Sequence, residues 1–357
     1  MRGNKLIFLA VFPFLLALVT ERTVIAQAKP SVKPLVLRFA HMSPPRGTQA
    51  QYLEKACSEV EKGTEGRVKI EIYWSESLVK VKEMPKAIQK GICDIAWVAS
   101  VYHPAEIPLW THYDALLYLP GGEDAVRIVQ KAWEIFDQSG PLRNDFEKLG
   151  QTAWLCTPYD AYCMWSKKAV KNLGDMKGMR IRVSGEGSAK CVIAAEAHPS
   201  TIPASETYTA LEKGTVDAAI TGWEWGKRYG FFEVVPYVTD LDVFGGYAFM
   251  NVSLSALRKM AEGDRKVFLQ TGRKVSLELG EAQKKERQEY KTFVQGKGLK
   301  LFPFPAEERA KWADLPEVKA LIKTWLDRQK AAGRPGAEVM RTFLKTFEVP
   351  QSMPPGY

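Results

Sequence analysis

Two ten-residue segments of this sequence repeat one another, and this repeat constrains the fold more than any other feature. Residues 87–96 read AIQKGICDIA and residues 210–219 read ALEKGTVDAA, with identical residues at five positions. Each segment has the pattern of a helix that ends at a glycine with positive φ, followed by a strand that opens with aspartate. Such joints are common, so chance similarity is the alternative. The equivalent placement of the identities favours two related α/β lobes, with a cleft between them where small ligands commonly bind.

The patterns around these segments alternate between strands and helices. Apolar periodicity predicts strands at 35–41, 68–74 and 92–99, with helical segments between them, and the alternation begins again at 178–184. Residues 100–120 are rich in proline and aromatic residues and predict a long loop. Strands that alternate with helices predict a mostly parallel α/β sheet. A chain of 357 residues also exceeds what one hydrophobic core usually serves, so two domains are expected.

The first 28 residues are typical of an export signal. Arg2 and Lys5 precede an uninterrupted apolar run at 6–19, and residues 26–28, Ala-Gln-Ala, have the small-residue pattern of a signal-peptidase site. A membrane anchor is the alternative, but this run is short for a hydrocarbon core about 30 Å thick. The sequence therefore predicts a signal peptide at residues 1–28, cleavage after Ala28 and export from the cytoplasm.

The charge balance and the rare residue types exclude several classes of function. The chain carries 50 Lys and Arg against 41 Asp and Glu, and the positive excess is scattered, so no nucleic-acid partner is expected. Four histidines leave little room for a metal site, and neither a metal nor a cofactor is expected. The GxSxG, HExxH and GxxxxGK motifs are absent from the sequence, which argues against an enzyme and predicts no catalytic residues.

The five cysteines have irregular spacing and leave two interpretations open. Cys156 and Cys163 flank a possible strand-turn-strand and could form a disulfide in an oxidising compartment. Buried free thiols that act as small apolar residues are the alternative.

Four segments, in this order and spacing, resemble the DctP-like solute-binding proteins of TRAP (tripartite ATP-independent periplasmic) transporters. They read LVLRFAH, KAIQKGICDIAWVAS, LGDMKGMRIRV and SETYTALEKGTVDAAITG, and the resemblance runs from residue 35 to about residue 345. It implies the α/β type II periplasmic-binding-protein fold, with two α/β lobes joined by hinge strands and a long bracing helix. The first lobe would comprise 34–155 and about 245–290, and the second 156–244 and about 291–357 with the C-terminal helices.

The same resemblance implies a periplasmic location and a function in transport. Members capture an organic anion, usually a carboxylate, by hinge closure and deliver it to the subunits of a membrane permease. The alternatives are a binding protein of another transport or sensory system and an exported α/β enzyme. The oligomeric state stays open, with a monomer expected.

The signature arginine of the family falls on Arg182. This residue lies near the C-terminal end of a predicted strand, and such strand ends line the crevice of open α/β sheets. A guanidinium group pairs with a carboxylate through two parallel hydrogen bonds and stays charged when desolvated. We therefore expect Arg182 to bind the ligand carboxylate, whereas Arg180 on the same strand is expected to be a solvated surface residue.

Two departures from the family pattern bear on the ligand. Thr221 stands where many members have an asparagine that contacts the carboxylate, and a threonine can still donate one hydrogen bond. The second arginine found in members that bind dicarboxylates or sugar acids is missing near 161–162. Trp223 and Trp225 follow Thr221, and Trp223 either forms an aromatic wall for the ligand or packs under the hinge. A monocarboxylate with an apolar or aromatic body is therefore expected.

Five further residues are ligand-contact candidates by position alone. Trp97 and Ser100 end a first-lobe strand, and His41 ends the first strand, where a structural hydrogen bond is the alternative. Phe244 lies in the return segment between the lobes, and Tyr208 lies at the start of a second-lobe helix.

Overall fold

Two β-sheets organise the chain in the computed structural model, which describes residues 33–117, 124–159, 161–349, 351 and 353–357. Residues Pro34–Tyr357 form one unit. The predicted signal peptide at 1–28 lies outside the described residues. In the described part of the chain, no helix combines the length and the apolar character needed to cross a membrane.

Eleven strands are described. In chain order, β1–β11 are Leu35–Ala40, Val68–Tyr73, Ile95–Val98, Gln151–Tyr159, Tyr162–Ser166, Arg180–Val183, His198–Thr201, Ala218–Thr221, Tyr237–Val243, Gly246–Ser253 and Lys300–Pro303. The first sheet has the order β2-β1-β3-β10-β4, and the second has the order β11-β9-β5-β8-β6-β7. We call each sheet with the helices packed on it the first lobe and the second lobe.

Thirteen α-helices are described. In chain order, α1–α13 are Thr48–Gly63, Met84–Gln89, Ala125–Gln138, Gly140–Glu147, Glu186–Ala194, Ala204–Glu212, Trp223–Tyr229, Leu254–Lys259, Glu262–Gly296, Ala306–Asp314, Pro316–Lys319, Leu321–Ala331 and Gly336–Thr346. The predicted long loop at 100–120 contains two 3₁₀ helices, Ser100–Tyr102 and Pro108–Ala115, and most of their side chains are buried. This segment is compact because its many apolar side chains pack into the first-lobe core.

Consecutive strands carry the chain from one sheet to the other at two places, and the segment through α9 carries it across a third time, from β10 to β11. β4 ends at Tyr159 in the first sheet and β5 begins at Tyr162 in the second, while β9 ends at Val243 in the second sheet and β10 begins at Gly246 in the first. The expected hinge strands are thus present. β4, β5 and β10 pair antiparallel with their neighbours, whereas β9 pairs antiparallel with β5 and parallel with β11. Both sheets are therefore mixed, and the expectation of a mostly parallel sheet is correct only for the remaining pairs.

The repeated segments have the same structure in both lobes. Gly91 and Gly214 have φ values of 69° and 71°, the left-handed conformation predicted for them. In the first lobe, Asp94 Oδ2 accepts a hydrogen bond from Arg38 N at 2.9 Å.

Asp217 Oδ2 accepts the equivalent bond from Arg180 N, also at 2.9 Å, in the second lobe. The strands that carry Arg38 and Arg180 therefore occupy equivalent places. In this alignment the first-lobe residue equivalent to Arg182 is Ala40.

Helix α9 braces the two lobes. It packs on α1, α3 and β4 of the first lobe and on α7 and β11 of the second. Close approach to the first sheet requires Gly272, because a Cβ at this position would lie 2.0 Å from the carbonyl oxygen of Trp154. Ser276 lies one turn later, and its hydroxyl accepts a hydrogen bond from Cys156 N at 2.8 Å. The expected bracing helix is thus tied directly to the strand that leads into the hinge.

The C-terminal helices pack differently from the expectation. Residues 321–347 were expected to belong to the second lobe, but Trp325, Leu326, Met340 and Phe343 are buried in the first-lobe core. The apolar faces of α12 and α13 pack on the 3₁₀ helix Pro108–Ala115 and on α3. Burial of these apolar faces therefore determines which lobe the two helices join. The exact division of the chain into two folding domains stays a prediction.

Candidate functional site

A cavity lies between the lobes, where the ends of five strands meet, namely β3, β4, β5, β6 and β8. It has a volume of ≈ 270 Å³ and we call it the Arg182 cavity. Half of its lining residues are aromatic and few are polar. They are Trp97, Val101, Tyr102, Tyr159, Tyr162, Arg182, Ser184, Ala204, Thr221 and Trp225. An apolar cavity with a few convergent polar groups is typical of a small-molecule site.

Arg182 is the charged group of this cavity. It lies on β6, paired with Ser200 on one side and Ala219 on the other, and its side chain is only 1% exposed. Its Nε donates a hydrogen bond to the carbonyl oxygen of Ile202 at 2.9 Å, and its Nη2 donates one to the hydroxyl of Tyr102 at 3.0 Å. A guanidinium has five N–H donors, so this geometry orients Arg182 and leaves donors for a ligand.

Aromatic rings form the walls of the Arg182 cavity. The ring of Trp97 lies 6.0 Å from that of Trp225 and 5.8 Å from that of Tyr102. Tyr159 meets Trp225 edge-to-face at 5.9 Å. Because Trp97 and Tyr102 belong to the first lobe and Trp225 to the second, a flat ligand here would be covered from both sides.

A second cavity adjoins the first. It has a volume of ≈ 360 Å³, and we call it the Phe244 cavity. Its lining residues are Val101, Tyr113, Asp114, Leu116, Tyr159, Tyr162, Ser184, Ser188, Phe244 and Gly245. Asp114 accepts a hydrogen bond from Gly187 N at 2.7 Å, and burial raises the pKa of its carboxyl to about 6.

A third cavity, of ≈ 440 Å³, lies between the lobes and helix α12. Ser100, Asp114, Glu186, Lys190 and Arg328 are among its lining residues, and we call it the Arg328 cavity. Arg328 forms a two-bond ion pair with Glu186 across it, with distances of 2.7 Å and 2.5 Å. Its cations are therefore already paired at the surface, and the Arg182 cavity is the better candidate for an anionic ligand.

The structure brings some of the sequence candidates together and separates others. Arg182, Thr221 and Trp97 line the Arg182 cavity, and Phe244 lines the adjoining one. Ser100 lines the Arg328 cavity, where its hydroxyl donates a hydrogen bond to Tyr113 at 3.0 Å.

Trp223, His41 and Tyr208 line none of these three cavities. Trp223 is fully buried in the second-lobe core, so it packs beneath the sheet while Trp225 takes the wall position. The hydroxyl of Tyr208 donates a hydrogen bond to Glu233 at 3.3 Å, at an exposed position.

His41 has a structural role. Its Nδ1 accepts a hydrogen bond from Ser43 N at 3.1 Å, and its ring lies 5.1 Å from that of Trp74 and 6.3 Å from that of Trp97. Burial and the nearby charge of Arg228 lower the pKa of His41 to about 3. The ring is therefore neutral at physiological pH and supports Trp97 from behind.

Three residues that shape the site are not predicted from the sequence. Tyr102 and Asp114 lie in the segment predicted as a long loop, and Tyr159 ends β4 at the hinge. The only available signal was positional: β4 runs into the hinge, and the aromatic-rich segment directly follows strand β3 at the crevice.

A buried network joins the lobes on the side of helix α9. Arg228 of α7, 3% exposed, forms an ion pair with Glu224 and donates a hydrogen bond to the hydroxyl of Ser43 at 2.9 Å. The guanidinium also lies 5.3 Å from the ring centre of Trp225. This network therefore holds the wall residue Trp225 against the first lobe.

Neither a metal site nor a disulfide is indicated. Among the described residues, no group of three or more His, Cys, Asp or Glu side chains is arranged to hold a metal ion. None of the five cysteines, all of which lie in the described part of the chain, forms a disulfide, and Cys156 lies in the first sheet while Cys163 lies in the second. Burial raises the pKa of Cys93 to about 12, as expected for an unreactive thiol.

Comparisons with known proteins agree with this architecture. The model of the family described as bacterial extracellular solute-binding protein, family 7, matches residues 39–324. A relative from Albidiferax ferrireducens, named a solute-binding protein, is 25% identical over 310 residues, which cover 81% of this chain and 89% of the relative.

Two solved structures share the fold. A TRAP solute-binding protein from Rhodoferax ferrireducens, in complex with copurified benzoate, gives a TM-score of 0.79 at 18% identity and covers 88% of this chain and 98% of that chain. A TRAP periplasmic solute-binding protein from Desulfovibrio salexigens, with bound orotic acid, gives a TM-score of 0.77 at 23% identity with the same coverage of both chains.

Proposed function

We propose a function from one premise: this chain belongs to the family of bacterial extracellular solute-binding proteins, family 7. The resemblance to TRAP solute-binding proteins and the type II periplasmic-binding-protein fold are thereby confirmed. The protein is accordingly a solute receptor. We propose that it binds an organic monocarboxylate with an aromatic or apolar body in the Arg182 cavity, and that it presents this ligand to the subunits of a membrane permease.

The observation that carries the proposal is the environment of the Arg182 guanidinium. It is buried, and the two hydrogen bonds that it makes both go to neutral oxygens. Among the described residues, no carboxylate forms an ion pair with it. Because buried charges are normally paired, a ligand carboxylate supplies the counter-charge that the fold itself does not.

The class of the ligand body follows from the walls. Trp97, Trp225 and Tyr159 present ring faces and edges, which favour a flat apolar or aromatic group. The hydroxyl of Tyr159 is buried and lacks a hydrogen bond of good geometry with the described residues, so it can bind a ligand oxygen. The benzoate and orotic acid bound by two proteins of the same fold support this class.

Capture proceeds by closure of the lobes. Arg182 of the second lobe contacts Tyr102 of the first, and Asp114 of the first lobe contacts Gly187 of the second. These contacts describe a closed arrangement in which a bound ligand would be shielded from water. A periplasmic location follows from the signal-peptide pattern at residues 1–28 and agrees with the family description.

The test compares two arginines that are two residues apart on one strand. The chain from residue 29 onward is titrated calorimetrically with aromatic and aliphatic monocarboxylates and with dicarboxylates. We expect a monocarboxylate to bind. A ligand at 100 times its dissociation constant should also raise the free energy of unfolding by about 2.7 kcal/mol. Arg182→Gln should weaken binding at least about 100-fold, because a charge-assisted contact is lost.

Arg180→Gln is the matched control, since Arg180 is half exposed and pairs with Asp217 away from the cavity. Its affinity should stay within about threefold of wild type. Thr221→Val, with a smaller expected loss, provides a second variant if Arg182→Gln folds poorly. If no carboxylate binds the wild type, or if both arginine variants bind equally well, the proposal fails.

A further inference from the structure

The two adjoining cavities are direct neighbours, because they share the lining residues Val101, Tyr159, Tyr162 and Ser184. A ligand that fills the site would therefore extend from the Arg182 cavity into the Phe244 cavity.

The two cavities carry opposite charges. Among the described residues that line them, the charged side chains are Arg182, in the first cavity, and Asp114, in the second. They lie on opposite lobes, Arg182 on β6 and Asp114 on the 3₁₀ helix Pro108–Ala115. A ligand that spans the cavities therefore meets a cation at one end and a carboxylate at the other.

The Asp114 carboxylate retains capacity to accept hydrogen bonds. Its Oδ2 accepts from Gly187 N at 2.7 Å, and the backbone N–H of Ser188 also stabilises its charge. An ionised carboxylate offers about four acceptor positions, so these contacts leave some of them available. Burial raises the pKa of the carboxyl to about 6, and above pH 7 the group is therefore mostly an ionised acceptor.

We propose that Asp114 is a specificity-determining residue, which binds a hydrogen-bond donor (a hydroxyl, an amide N–H or an ammonium group) at the ligand end remote from the carboxylate. This inference rests on the proposed function, because it takes the carboxylate to be held by Arg182. Asp114 also repels a second ligand carboxylate, which disfavours dicarboxylates. That effect is independent of the missing arginine near 161–162.

Paired ligands that differ only at the remote end test the inference. The wild-type chain is titrated calorimetrically at pH 7.5 with 3-phenylpropionate and 3-(4-hydroxyphenyl)propionate, and with hexanoate and 6-aminohexanoate. We expect the donor-bearing member of at least one pair to bind tenfold or more tightly, because hydrogen bonds to a charged acceptor are strong.

Asp114→Asn is the diagnostic variant. Its amide oxygen can still accept from Gly187 N, while the other carboxylate oxygen becomes an NH₂ donor. The ratio of the two dissociation constants in the preferred pair should fall below threefold. Asp314→Asn is the control, since the Asp314 side chain is 76% exposed and pairs with Lys319, and it should keep the wild-type ratio.

The outcomes separate the two proposals. The role of Asp114 is overturned if the wild type binds both members of each pair with equal affinity, or if Asp114→Asn keeps the wild-type ratio of dissociation constants. The proposed carboxylate receptor stands in either case. If the wild type binds none of these or other carboxylates, both proposals fall.

Discussion

Arg182 of the second lobe donates a hydrogen bond from its Nη2 to the hydroxyl of Tyr102 in the first lobe, at 3.0 Å. The same hydroxyl accepts a hydrogen bond from Ala204 N at 3.3 Å, at the start of α6. The opposite lobe thus orients the residue that is proposed to bind the carboxylate. The hydrogen bond that positions Arg182 for the ligand is also a bond that joins the closed lobes.

Tyr102→Phe should weaken ligand binding about tenfold, because it removes a hydrogen bond to a charged donor without changing the ring that packs on Trp97. Calorimetric titration with the best monocarboxylate measures the effect. Tyr73→Phe is the control, since the Tyr73 hydroxyl contacts Glu71 at an exposed position. A Tyr102→Phe protein with wild-type affinity would show that the contact between the lobes does not contribute to binding.

Gly187→Ala should hinder closure without unfolding either lobe. A Cβ at Gly187 would lie 1.6 Å from the carbonyl oxygen of Asp114, across the gap between the lobes. We expect affinity to fall at least tenfold and the ligand-dependent decrease in the radius of gyration, measured by small-angle X-ray scattering, to disappear. At Gly263, in α9, a Cβ meets no atom within 4 Å, so Gly263→Ala should close normally. Normal closure by Gly187→Ala would contradict this closed arrangement.

The buried ion pair between Glu224 and Arg228 should contribute strongly to stability. Their side chains are 8% and 1% exposed, and removal of one partner from a buried pair costs about 3–5 kcal/mol. Arg228→Met should therefore lower the free energy of unfolding in urea by that amount. Lys323→Met breaks a pair with Asp327 at the same helical spacing, but on the surface, and should cost about 1 kcal/mol or less. Equal losses in the two variants would refute the buried role of Arg228.

His41 should make the protein sensitive to acid. Its folded-state pKa is about 3, below the unfolded value of 6.5, so the unfolded chain binds more protons between these values. The stability contributed by neutral His41 is complete above pH 6.5 and is lost as pH falls toward 3. Between pH 7.5 and pH 5.0 this loss is about 2 kcal/mol.

Urea unfolding at these two pH values measures the change. His41→Asn, which keeps an acceptor for Ser43 N, should lose about 2 kcal/mol less than wild type over this interval. His198→Asn, at an exposed position, should behave like wild type. A His41→Asn protein with the wild-type pH dependence would show that another group is responsible, such as His112, whose pKa burial lowers to about 4.

The repeated segments were sufficient to predict two lobes, because a glycine with positive φ and the following strand are local features. The residue pattern placed Arg182 near the end of a strand, as the structure has it, while its contact with a ligand stays a prediction. What the sequence could not show is which side chains of distant segments meet. Asp114 and Tyr102 come from a segment without periodicity, and only the packing of that segment into the first-lobe core brings them to the cavity. Trp223 and Trp225 are two residues apart, and their opposite roles depend on the orientation of the short helix α7.

The central claim is that the Arg182 cavity binds a monocarboxylate, and a crystal structure of the chain with added benzoate tests it most directly. We predict the carboxylate oxygens within about 3 Å of the Arg182 guanidinium, and the ring packed against the walls that Trp97 and Trp225 form. A benzoate bound elsewhere, for example between Lys190 and Arg328, with water beside Arg182 would contradict the claim.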